Sequence, residues 1–96
     1  MEKHSLTDTQ KLITEECEFI AQHLIKKNQA YGNSFADPIN IFAKSSPIEQ
    51  INVRIDDKLK RLMNKDREAK QLVPEDTVLD LLGYLILKRV LKRMGY

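Results

Sequence analysis

Asp80 sits inside the most apolar run of the chain, Val78-Leu79-Asp80-Leu81-Leu82-Gly83-Tyr84-Leu85-Ile86-Leu87. An ionised carboxylate taken out of water is costly, so a buried Asp is protonated, paired or bound to a cation. Asp76 lies one helical turn earlier, and Gly83 and Leu87 follow Asp80 on the same stripe. Two acids on the inward side of one helix suit a ligand site. The plainer alternative pairs Asp80 with an Arg or Lys from another helix.

Other acids can join this pair. Glu15, Glu16 and Glu18 lie on a first helical segment, and Glu49, Asp56 and Asp57 on a second. Glu16 borders an apolar stripe and can point inward, whereas Glu18 points farther out. Glu49 is equally suited to capping its helix. Carboxylates converging from neighbouring helices can hold Mg²⁺, which takes oxygen ligands in an octahedron and bridges to phosphate. Cations stand close by in sequence. Arg54, Lys58 and Arg61 form a row beside the apolar stripe of the second segment, and Lys27 ends the first. Such a row holds phosphate oxygens while acids hold metal, or it pairs with Asp57 and Asp80. Tyr31 and Phe35 can stack on a base.

Other chemistries are poorly served. Cys17 is the single cysteine, so neither an intrachain disulfide nor a thiolate metal cluster can form. Two histidines make a poor zinc set. There is no Ser-His-Asp set, Gly-rich phosphate loop or Cys-x-x-Cys motif. A net charge of +2 is too small to argue for nucleic acid. The 78–87 run is about half a membrane span and contains an acid. No apolar signal-like segment follows Met1-Glu2-Lys3-His4. The expectation is therefore a cytoplasmic protein without a membrane anchor.

Three helices must position these residues, and 96 residues make one small domain, 1–96. The first spans about 7–28, capped by Thr7 or Asp8, with Ile13, Cys17, Ile20 and Leu24 as its buried stripe. The second spans 46–64. Ser46 is its N-cap, Pro47 fits N1, and Glu49 completes a Ser-x-x-Glu box. Its stripe is Ile48, Ile51, Ile55, Leu59 and Leu62. The segment 66–73 is charged and reads as a solvated turn. The third helix spans 74–94 and stops at Gly95. Its first half is apolar nearly all round, which makes it the central, most buried helix. Between helices one and two, 31–44 carries Tyr31, Phe35, Ile39, Ile41 and Phe42 without helical period. It reads as a long ordered loop packed on the body and, at that length, as functional.

Taken in order, these segments resemble a known group. Lys26-Lys27-Asn28-x-x-Tyr31-Gly32-x-Ser34 resembles the Lys-Asn-x-x-Tyr-Gly signature of the nucleotide modification-associated domain 1 type, small proteins common in bacteriophages. That type belongs to the MazG-like all-α nucleoside triphosphate pyrophosphatase superfamily. Ser45-Ser46-x-x-Glu49-Gln50-Ile51-x-x-Arg54 is similar to its second segment, and Glu75-Asp76-x-x-x-Asp80-Leu81-x-Gly83-Tyr84 to its closing helix. The resemblance covers about 15–87. It implies an all-α fold and Mg²⁺-dependent cleavage of a (deoxy)nucleoside triphosphate, or of a related nucleotide, to monophosphate and pyrophosphate.

On that basis Glu16, Asp76 and Asp80 would hold metal, with Glu18 or Glu49 as base. Lys27, Arg54 and Lys58 would hold phosphates, with Tyr31, Asn33 and Ser34 near base or sugar. The family's acids come as Glu-x-x-Glu and Glu-x-x-Asp pairs. Here Glu15-x-x-Glu18 keeps the first spacing, Asp76-x-x-x-Asp80 replaces the second, and Asn52 follows Glu49 where an acid would stand. A nucleotide-sequestering protein that does not hydrolyse is the alternative. A helical protein-interaction module is the third reading. The apolar third helix also calls for self-association, as a dimer or larger.

Overall fold

The structure is a computed structural model that describes residues 5–64 and 75–96, with the backbone alone at 75 and 76. It is all-α. Three helices follow in order, α1 (Leu6–Tyr31), α2 (Pro47–Met63) and α3 (Glu75–Arg93), and no strand occurs among the described residues. No helix among the described residues is long and apolar enough to cross a membrane. The segment 66–73, expected as a solvated turn, lies outside the described residues. The chain divides into two compact units, Met1–Gly32 and Asn33–Tyr96.

The first unit holds α1. Ser5 caps it, with its Oγ accepting from the Asp8 N–H at 3.0 Å. Thr7 and Asp8, the expected caps, lie within the first turn. Asp8 instead places a negative charge in the first turn, where the helix dipole favours it. The helix also runs three residues past Asn28. It ends at Gly32, whose φ of 65° and ψ of −155° only glycine adopts easily. Asn28 Nδ2 donates to the Gly32 carbonyl at 3.1 Å and closes that end. Of the expected stripe, Ile20 is buried and Leu24 half-buried, while Ile13 and Cys17 are exposed. Helical spacing identifies a face, but only neighbouring atoms cover it, so Cys17 is not a core residue.

The second unit packs α2 on α3. Ala36, Ile51 and Leu91 form its buried cluster, flanked by Phe35, Ile48, Ile55, Tyr84 and Leu87. Ile51, early in α2, shares this cluster with Leu91, late in α3. Lys58, later in α2, reaches Asp80, early in α3. The two helices are therefore antiparallel. Ser46 caps α2 as expected, its Oγ accepting from the Glu49 N–H at 3.2 Å, with Pro47 in the first turn. The end of α3 is closed by two backbone bonds. Tyr96 N–H donates to the Leu91 carbonyl at 3.1 Å and Gly95 N–H to the Lys92 carbonyl at 3.2 Å. This Schellman pair needs a left-handed residue, and Gly95 supplies it with φ 97°.

Two expectations are corrected in this unit. Helix α3 is not buried all round: Leu91, Thr77 and Gly83 are buried, but Val78, Leu82, Leu85 and Ile86 are exposed. A single partner helix covers one side of an all-apolar helix and leaves the other in water. The loop after α1 is likewise split. Phe35 and Ala36 enter the core, whereas Ile39, Ile41 and Phe42 stand out from it.

Candidate functional site

The groups singled out by sequence fall in both units. In the first, Glu16 and Glu18 are exposed on the middle of α1, Lys27 lies near its end, and Tyr31 is its exposed last residue. In the second, Asn33 and Ser34 are exposed at the start of the loop, where Asn33 O accepts from Ala36 N–H and Asp37 N–H, both at 2.9 Å. Glu49 is exposed in the first turn of α2, and its Oε1 accepts from Asn52 Nδ2 at 3.2 Å. Asn52 thus occupies the carboxylate of Glu49 at the position where the resembled family has a second acid. Arg54 is exposed one turn before Lys58. The side chain of Asp76 lies outside the described residues.

Lys58 and Asp80 are brought together. Lys58 Nζ lies 3.3 Å from Asp80 Oδ2, with the two side chains 13 % and 26 % exposed. The apolar run around Asp80 shields the pair from water on the α3 side. Its attraction is therefore stronger than that of a surface ion pair, and so is the cost of removing either partner. Lys58 of α2 places a cation beside Asp80, the contact that the plainer alternative anticipated. Arg54, Lys58 and Arg61 lie within one narrow arc of α2, one turn apart, so the anchored ammonium is the centre of a positive row. Three N–H donors on Lys58 leave room for further oxygen acceptors beside Asp80. Among the described residues, no three His, Cys, Asp or Glu side chains stand where they could share a metal ion.

Two features had weak or no sequence signal. His23 Nε2 is buried without a hydrogen-bond partner among the described residues, and its ring stacks on Phe19 at 6.3 Å between centroids and 18° between planes. The second is a small polar lock in the loop. Asn40 takes φ 54°, a left-handed conformation that Asn tolerates better than most residues. Gln50 Nε2 donates to Asn40 Oδ1 at 2.8 Å and to the Ser45 carbonyl at 3.0 Å, and Lys44 Nζ donates to the Asn40 carbonyl at 3.0 Å. An Asn between Ile39 and Ile41 was the only local hint.

Compared with protein-family models, curated proteins and solved structures, the chain matches none.

Proposed function

We propose that this chain handles nucleotides, binding their phosphates along the cationic row of α2. The observation that carries the reading is the half-buried Lys58–Asp80 pair, which joins a motif position, Asp80, to the cationic row that begins at another, Arg54. Holding an ammonium in place before ligand arrives removes part of the ordering cost of binding, and Arg54 adds a fork suited to phosphate oxygens. Lys27, Tyr31, Asn33 and Ser34 belong to the same reading as contacts to phosphate, sugar and base. They rest on the resemblance alone.

The hydrolytic form of the reading requires Mg²⁺. Glu16, Asp76 and Asp80 would hold it, and it would supply charge neutralisation at the phosphates and an activated water, with Glu18 or Glu49 as base. Among the described residues two of these acids already have partners: Asp80 faces Lys58 and Glu49 is engaged by Asn52. Nucleotide binding without turnover is therefore the better supported form. The unoccupied apolar face of α3 favours a second, compatible reading, self-association into a dimer or larger.

Calorimetry with a set of nucleoside mono-, di- and triphosphates, with and without Mg²⁺, tests the proposal. Binding is expected in the absence of metal, weakened about tenfold by Arg54→Ala, which is about 1.4 kcal/mol. Binding that requires Mg²⁺ and yields pyrophosphate would restore the hydrolase. No heat with any nucleotide would remove both forms.

A further inference from the structure

The loop between α1 and α2 carries the most exposed apolar side chains of the described residues. Phe42 is 96 % and Ile39 84 % exposed, and Ile41 stands beside them. The tip is nevertheless held in shape. The bonds from Gln50 and Lys44 to Asn40 fix the residue between Ile39 and Ile41 on the first turn of α2. A held loop that points large apolar groups into water is built to enter something. The same unit also carries an apolar surface without a cover. Leu82, Leu85 and Ile86 lie on one side of α3 and are all exposed, and Arg89, exposed as well, continues that side one turn on.

We propose that the two features are a knob and its seat across a two-fold axis. Ile39, Ile41 and Phe42 of one copy rest on Leu82, Leu85 and Ile86 of a second copy, and the reverse contact forms at the same time. The inference rests on the self-association proposed above and names its contact. Size supports it: these side chains present several hundred Å² of apolar area, the order of the ~800 Å² per partner of a stable interface. Charge supports it too. Asp37 is exposed at the foot of the loop and Arg89 at the end of the seat, so a second copy brings opposite charges to the two rims. A reciprocal contact also closes on itself, which stops growth at two copies.

Light scattering on the full chain tests this, with Phe42→Asp as the knob variant and Leu82→Asp as the seat variant. Both positions are exposed, and helix content by circular dichroism should stay at the wild-type level. The expected wild-type mass is twice 11.2 kDa. Each variant alone should fall to a monomer. A one-to-one mixture should associate more than either variant alone but less than wild type, because the intact seat of one variant accepts the intact knob of the other at one of the two contacts. A mixture that associates no more than either variant alone overturns the knob-and-seat contact. A wild-type dimer broken by Leu82→Asp but not by Phe42→Asp also overturns it and leaves self-association standing. A monomeric wild type removes both. Binding of a monomer to phosphatidylcholine vesicles that depends on Phe42 would replace the second copy with a lipid surface.

Discussion

Asp80 and Lys58 illustrate how one charge dictates another. Asp80 lies in the apolar run of α3, no residue of α3 from Thr77 to Leu87 carries a positive charge, and Lys58 of α2 brings one to it. Asp80→Asn leaves the ammonium of Lys58 facing a neutral amide in a half-buried place. A loss of about 1–3 kcal/mol is expected, between the values for exposed and fully buried pairs. The double change Lys58→Met with Asp80→Leu should return stability to near the wild-type level, because apolar groups of similar size remove both desolvation costs. Urea titrations of the single and double variants measure this. A single change that costs nothing would mean that the pair is solvated. His23 presents the opposite case, a buried nitrogen with no partner among the described residues. His23→Leu is expected to raise stability by about 1 kcal/mol, read as a higher melting temperature.

The helix ends of this chain are set by single residues with clear physical roles. Ser5 and Ser46 satisfy the first free N–H groups of α1 and α2. Ser46→Ala should cost about 1 kcal/mol in a urea titration, because the Glu49 N–H then loses its acceptor. Gly32 ends α1 in a region that a side chain rarely enters, and no atom lies within 4 Å of where a Cβ would stand. Gly32→Ala therefore meets backbone strain alone, and a loss of about 1–2 kcal/mol is expected. The loop that follows is an element of its own kind. Gln50→Ala removes both side-chain bonds that tie it to α2, so amide exchange over residues 39–45 should speed up while α2 and α3 keep their protection. Unchanged exchange would mean that Lys44 and the backbone hold the loop without Gln50.

At the scale of the whole molecule, the described residues of the second unit divide between a buried cluster and an apolar surface in water. Ala36, Ile51 and Leu91 are buried, and Val78, Leu82, Leu85 and Ile86 on α3 stay in contact with water. A protein that covers such a surface with a second copy is stabilised by mass action. Its melting temperature should rise by a few degrees when concentration increases about a hundredfold, because association draws on the folded state alone. Scanning calorimetry at low and high micromolar concentration reads this directly. A melting temperature independent of concentration would count against association.

The sequence by itself determined the helices, their order and most of their ends. Those features depend on local rules: period 3.6 for the apolar residues, a serine before α1 and α2, proline at the first turn of α2, and glycine after α3. It also showed that Asp80 needs a partner, because the cost of an isolated buried charge follows from the residues beside it. Which residue would stand beside it was not legible, and only the antiparallel packing of α2 on α3 brings Lys58 there. Exposure could not be read locally either. Cys17 and Ile13 share a stripe with Ile20, yet only Ile20 is buried, and Phe42 lies six residues from buried Ala36 while standing in water. Periodicity states which residues share a face; whether that face is covered depends on atoms far away in the chain.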